Sequence, residues 1–196
     1  MTDDLPPGRS GAAVRQPLAR SNLEAHLYMD LRPCACGDAR FERAHSVSGL
    51  PGGGLGSRYA GTCAGCGTVR EFVFALPPGP PPVPTGEIRY GGDEPSELLD
   101  AGEWLWAADA YARAVPPDPH RLPEPERRRA RGRLAGAAAA IDEALKFVPL
   151  GADRVPSAAV QSRLGAPLYE REPGRFRVGR LTAVRDAYRS AVRLFG

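Results

Sequence analysis

Four cysteines carry the clearest chemistry in this 196-residue chain. They come in two close pairs, Cys34-Ala35-Cys36 followed by Gly37, and Cys63-Ala64-Gly65-Cys66 followed by Gly67. A tight turn bearing two thiolates supplies two corners of a tetrahedron. A second turn, brought alongside by strand pairing, supplies the other two. That is the donor set of a zinc ion, which binds sulfur at about 2.3 Å. The glycine after each pair lets the chain turn beneath the metal, where a side chain would crowd the sulfurs. Backbone N–H groups in such turns donate to the thiolates and orient them. The expected ligands are Cys34, Cys36, Cys63 and Cys66 around one zinc ion. Four protein ligands leave no open position, so the expected role is structural. Two other readings stay open: a redox dithiol at Cys63 and Cys66, and four unliganded buried thiols. A redox pair belongs at a helix start in a βαβ setting, whereas the flanking residues here read as strands.

Short strands must position these pairs. The segment Thr68 to Leu76 alternates, with Phe72, Phe74 and Leu76 on one face, as a half-buried strand does. Arg40 to Val47 and Gly56 to Thr62 are further candidates, with Gly52-Gly53-Gly54 in a hairpin loop between them. Three strands and two cysteine turns make a small zinc-bound β unit over residues 33–76. These turns resemble the zinc-ribbon group of metal-binding folds. Cys63 to Gly67 carries the CxxCG knuckle of that group in full; Cys34 and Cys36 stand one residue apart where the usual pattern has two. The resemblance covers residues 33–76 and implies a metal held by the four cysteines.

Around this unit the chain divides by composition. Its 21 prolines and 23 glycines cluster, which marks loops between packed units. Residues 1–17 read as a flexible tail. Residues 18–32 hold one short helix, with Leu23, Leu27 and Leu31 at spacings of four and Leu18 or Tyr28 at its margins. Residues 77–95 form a Pro- and Gly-rich linker, extended or packed across the surface. Residues 96–196 form a helical domain of about four helices. The first carries Leu98, Leu99, Trp104, Leu105, Ala108 and Tyr111, with Ser96 or Asp93 as cap. The second runs from about Pro125 to Phe147 with Leu134, Ala137, Ala138, Ile141, Leu145 and Val148 facing inward; Pro149 stops it. A shorter helix spans Ser157 to about Glu170. The last spans Pro173 to Phe195, with Phe176, Leu181, Val184, Tyr188, Val192 and Leu194 as core contacts. Trp104, Ala107, Ala108 and Tyr111, then Ala137, Ile141, Ala144 and Pro149, resemble scattered positions of the tetratricopeptide pattern. The loop between them is too long for that repeat and no second copy follows, so the likeness implies helix-hairpin packing alone. The expected class is α+β, mostly helical.

Composition bounds the function. The chain is 42% hydrophobic and 25% charged, ordinary for a globular protein. No run of 18 apolar residues predicts a membrane span, and MTDDLPPGRS lacks the positive start and apolar core of a signal peptide. The expected location is the cytoplasm, where thiols stay reduced and paired cysteines read as metal ligands. Lys146 is the one lysine beside 25 arginines, so arginine abundance alone does not signal phosphate binding. Charge is segregated: residues 77–126 carry net −7 and residues 127–196 net +9.

Arg127, Arg128, Arg129, Arg131 and Arg133 form the strongest run. It reads as a helix face answering the acidic stretch Asp93 to Glu126, or as a nucleic-acid contact. Trp104 and Trp106 point in different directions on a helix, so one enters the core and Trp106 is a candidate anchor for a partner. His26, His45 and His120 have no carboxylate or histidine partner in sequence, and His45 alone lies inside the zinc unit as a substitute ligand. The glycines of PGGGLGS lack the lysine of a phosphate-binding loop. No nucleophile, base and orienting group stand together. The expected function is a non-enzymatic protein-binding module of adaptor, regulatory or immunity type. The alternatives are nucleic-acid binding through Arg127 to Arg133, joined by Arg58 and Arg70 on the zinc unit, and an enzyme with an unrecognised site.

Overall fold

The structure is a computed structural model that describes residues 15–79 and 87–195. Residues 1–14 of the expected tail and 80–86 of the expected linker lie outside the described residues. The described elements run α1 (Asn22–Asp30), β1 (Ala44–Gly49), β2 (Leu55–Thr62), β3 (Val69–Ala75), α2 (Ala101–Arg113), α3 (Glu124–Leu145), α4 (Gly165–Arg171) and α5 (Val178–Leu194). The class is α+β and mostly helical, and no described helix is long and apolar enough to cross a membrane.

The three strands form an antiparallel sheet in the order β1-β2-β3. Ser57 faces Phe74 and Tyr59 faces Phe72 across the β2–β3 pair. These residues therefore share one face, and Tyr59 and Phe74 are buried on it. Along the other edge of β3, the Ala19 amide donates to the Ala75 carbonyl at 3.0 Å, and the Ala75 amide donates to the Pro17 carbonyl at 2.9 Å. Leu18 thus sits in a parallel bridge and not in a helix. Helix α1 begins only at Asn22, where the Ser21 hydroxyl accepts from the Glu24 amide at 3.1 Å.

Helix α1 also faces the core differently from its leucine spacing. Leu27 is buried, but Leu23 is 49% exposed, while Glu24, Ala25 and Met29 turn inward. Glu24 turns inward together with its cationic partner, Arg20. Arg20 contacts Glu24 at 2.6 Å and Glu143 of α3 at 2.7 Å, and Lys146 contacts Glu143 at 2.6 Å. Glu24 is fully buried and the Arg20 and Glu143 side chains nearly so. Arg32, just beyond α1, meets Glu103 of α2 at 2.5 Å.

Asp100 caps α2, where Ser96 or Asp93 was expected. Its carboxylate accepts from the Glu103 amide at 2.8 Å, and the Glu103 carboxylate accepts from the Asp100 amide at 3.2 Å, a reciprocal capping box. Ser96 instead closes the preceding turn, accepting from the amides of Leu98 and Leu99. The second Asp100 oxygen accepts from the amides of Gln161 and Ser162 at 2.7 and 2.6 Å. Those bonds hold an irregular segment, so the helix expected over Ser157 to Glu170 is split into a 3-10 turn, Ser157–Ala159, and the short α4. Where α2 meets α4, a Cβ on Gly102 would lie 2.3 Å from Gly165 Cα; only two glycines allow that approach.

Helix α3 packs between α2 and α5. Its Leu134, Ala137, Ala138 and Ile141 are buried as expected, with Leu145 and Val148 half-buried. In α5, Leu181 is buried and Val184, Tyr188 and Val192 partly so, but Leu194 is 69% exposed and Phe195 turns inward instead. The main buried cluster is continuous from Phe41, Tyr59 and Phe74 through Leu27 and Met29 to Trp104, Leu105 and Ile141. Arg175, before α5, forms a two-pronged pair with Asp109 of α2 at 2.7 and 2.9 Å, so basic and acidic stretches do meet here.

Two expectations follow. Met29→Ala lowers stability by about 2–5 kcal/mol as a core truncation, while Leu23→Ala changes it by less than about 0.5 kcal/mol; urea unfolding of both reads the orientation of α1. Arg20→Met strands the buried Glu24 carboxylate, while Glu143 keeps Lys146, and costs about 3–5 kcal/mol, read the same way.

Candidate metal centre

The two cysteine turns stand side by side. Cys34 Sγ lies 3.6 Å from Cys66 Sγ, and Cys36 Sγ lies 3.6 Å from Cys63 Sγ. All four sulfurs fall within 4.8 Å of one another. A disulfide requires about 2.05 Å, so the four are free thiols. A tetrahedral ion with metal–sulfur bonds of about 2.3 Å sets its sulfurs about 3.8 Å apart. The observed spacing fits that requirement. Cys63 is buried, Cys34 is half-buried, and Cys36 and Cys66 are exposed.

Backbone hydrogen bonds build each turn. In the first, the Gly37 amide donates to the Cys34 carbonyl at 2.8 Å, and the Cys34 amide to the Asp38 carbonyl at 2.9 Å. In the second, the Gly67 amide donates to the Cys63 carbonyl at 2.9 Å, and the Cys63 amide to the Thr68 carbonyl at 2.9 Å. Gly37 and Gly67 have φ of +91° and +73°, the left-handed region that glycine enters without a steric penalty. The turns therefore share one hydrogen-bond plan although their cysteines are spaced differently. The Ala64 amide donates to the Arg40 carbonyl at 3.0 Å and joins one turn to the other. Gly65 is needed for another reason: a Cβ there would lie 3.3 Å from Cys36 Sγ.

The thiols are poised unequally. Hydrogen bonds from the Thr68 hydroxyl and then the Thr68 amide hold the Cys66 thiol down at about 6. At Cys36 a hydrogen bond from the Asp38 amide favours the thiolate, but the neighbouring sulfurs of Cys66 and Cys63 outweigh it and push the thiol up to about 12. Four sulfurs this close do not all ionise by themselves. A divalent cation removes that conflict. Asp38, held near 2 by its hydrogen bonds from Arg40, stays ionised beside the site and keeps Arg40 in place at 2.9 Å.

Arg70 is the residue whose role was hidden in the sequence. It is 8% exposed, and its guanidinium lies over the rings of Phe41 at 4.6 Å and Phe72 at 5.2 Å. It donates to the Ala39 carbonyl at 3.0 Å and to the Arg32 carbonyl. Those carbonyls flank the first cysteine turn, so Arg70 ties that turn to β3. By residue type an arginine reads as surface, but Arg70 shares the parity of Phe72 and Phe74, so alternation along β3 places it on their face. His45, the candidate substitute ligand, is engaged elsewhere: its Nε2 lies 2.6 Å from Ser57 Oγ, and its ring stacks on Tyr59 at 4.7 Å. Among the described residues only the four cysteines form a group that could hold a metal ion.

The arginine run lies in the first half of α3. Arg127, Arg128 and Arg131 reach Glu124 at 2.8, 3.7 and 3.4 Å. Arg133 donates to the Ala114 carbonyl at 2.6 Å, and Arg129 is exposed. Arg58 pairs with Glu71 across the sheet at 2.8 Å. Trp106 is half-buried, while Trp104 is fully buried against Tyr90, and its Nε1 has no hydrogen-bond partner among the described residues. Comparison with protein-family models, with curated proteins and with solved structures returns no match.

Cys63→Ser removes the buried corner of the donor set; the expected result is loss of bound metal together with loss of sheet signal in circular dichroism. Acidification acts in the same direction, because protons compete for the thiolates. Metal is retained at neutral pH and released as pH falls, which a colorimetric chelator reads. Arg70→Lys keeps the charge but loses the planar stack and one or more of the two carbonyl bonds; it lowers stability by about 1.5–3 kcal/mol and speeds metal release.

Proposed function

We propose that this chain is a non-enzymatic protein-binding module, of adaptor, regulatory or immunity type, whose sheet is held by one structural zinc ion on Cys34, Cys36, Cys63 and Cys66. The observation that carries this reading is the complete four-sulfur set. Zinc with four thiolates is coordinatively closed, so it serves the fold and offers no position for a substrate. Copper(I) and iron also favour sulfur, and iron takes the same tetrahedral four-thiolate set, so the metal measured in the eluate distinguishes them from zinc. Segregated charge supports recognition of another macromolecule. The arginine run keeps an excess of cations over its one carboxylate partner, Glu124, but has no interleaved aromatic on which a base could stack. That favours a protein partner over a phosphate backbone. The cytoplasm, with its reduced thiols, is the compartment in which such a site loads.

The test is an affinity capture of the tagged chain from its host lysate, with and without nuclease, with metal measured in the eluate. The expected result is one equivalent of zinc and one stoichiometric protein that survives nuclease. Nucleic acid in the untreated eluate and nothing after treatment would replace this reading with the nucleic-acid one. Cobalt substitution gives an independent check of the ligands: a tetrahedral tetrathiolate site shows intense sulfur-to-cobalt charge-transfer bands, and Cys66→Ser weakens them.

A further inference from the structure

A groove of about 1020 Å³ runs along α3 between the segment 87–93 and α5. Its floor is open at Gly132 and Ala135, with Ala138 and Ala139 buried beneath the side chains farther along, and nothing longer than a methyl group rises from these four positions. From Arg128 to Lys146 the lining follows α3 for about 27 Å at 1.5 Å per residue. Ile88 stands on one wall and Val192 on the other.

Charge is uneven along this groove. Toward its Lys146 end two carboxylates are paired, Asp142 with Arg189 at 2.7 Å and Arg185 at 3.4 Å, and Glu143 with Arg20 and Lys146, while exposed Asp93 adds a negative charge there. Toward the other end the cations are in excess. Glu124 alone serves Arg127, Arg128 and Arg131. Facing them from α5, exposed Arg193 has a neutral partner, the Ser190 hydroxyl at 3.0 Å. The one ring in the lining, Tyr90, is 3% exposed. It offers no platform on which a base could stack, as single-stranded nucleic acid requires.

We infer that this groove binds an acidic helix of a protein partner, its backbone close to the glycine and alanine floor and its Asp or Glu side chains on Arg128, Arg131 and Arg193. A small-residue floor permits helix axes to approach to about 8 Å, and a helix in a groove is a recurrent mode of recognition. The inference rests on the protein-binding reading above and names the chemistry of the partner.

Fluorescence anisotropy tests it with a labelled amphipathic peptide of about 18 residues, about 27 Å as a helix, made of Glu, Ala and Leu. The titration is done at about 0.15 M salt, where distant charges are screened. The expected result is saturable binding that weakens about tenfold or more in Arg128→Glu/Arg193→Glu and in Ala135→Trp, which fills the floor. The charge-matched control Arg163→Glu/Arg171→Glu, outside the groove, shifts it by less than about twofold. Thermal melts establish that each variant is folded. Equal weakening by the control, undiminished binding by the two groove variants, equal binding of a peptide with Gln for Glu, or tighter binding of oligothymidine would each overturn the inference. A captured partner that still binds Arg128→Glu/Arg193→Glu removes the groove from the account and leaves the protein-binding reading intact. A parent chain that captures no protein removes that reading itself.

Discussion

The Arg20 guanidinium joins two carboxylates from distant parts of the chain, Glu24 one helical turn ahead and Glu143 near the end of α3. It also donates to the Glu94 carbonyl, and Gly91 makes room for it, since a Cβ there would lie 2.5 Å from Arg20 Cζ. Buried ions cost several kcal/mol each unless they are paired and hydrogen-bonded. These groups must therefore arrive together. Apolar burial brings α1, the 87–94 segment and α3 into one cluster, but it is non-directional. The ion pairs are directional, and they determine how α1 is turned. That is why Leu23 points to solvent and Glu24 to the interior, and why the Ser21 hydroxyl can donate to the Tyr90 carbonyl at 2.7 Å.

The sheet depends on a second constraint of the same kind. It has three short strands, and all six residues of β1 are exposed. Such a sheet holds little apolar surface of its own. The cysteine turns lie at one end of it, and the buried face of β2 and β3 packs on α1 through Tyr59, Phe74 and Tyr28. Arg70 connects the two. Its guanidinium lies against Phe41 and Phe72 while its donors hold the carbonyls beside the first turn. The cysteine cluster, the aromatic stack and the helix contact thus act on one small unit from three sides.

Helix α3 shows one residue choice serving two ends. Alanine at 137, 140 and 144 lets α3 pack closely, and all three side chains are fully buried. Alanine at 135, 138 and 139, with Gly132, leaves the groove on another side of the same helix. Larger residues at the first set would separate the helices. Larger residues at the second would fill the groove. The cations at its rim sit one or two turns along α3 and α5, where their length lets them reach over a flat floor.

Local chemistry was legible without the fold. Two cysteine pairs each followed by glycine implied tight turns, because that geometry is set within five residues, and both glycines do have positive φ; that the turns face each other is a contact between residues 32 apart, Cys34 and Cys66. Alternation at Phe72 and Phe74 and the 3.6-residue periodicity of α2, α3 and α5 placed the main elements for the same local reason. What only the tertiary structure decided involves partners far apart in sequence. Arg20, one turn from Glu24, is also held by Glu143 far along the chain; the second oxygen of Asp100 is taken by the amides of Gln161 and Ser162; Arg70 lies against Phe41, which comes from outside its own strand. A charged side chain carries no mark in the sequence of whether it meets water or an opposite charge. Its burial is settled by the three-dimensional arrangement that supplies the partner, since without one the desolvation cost would forbid it.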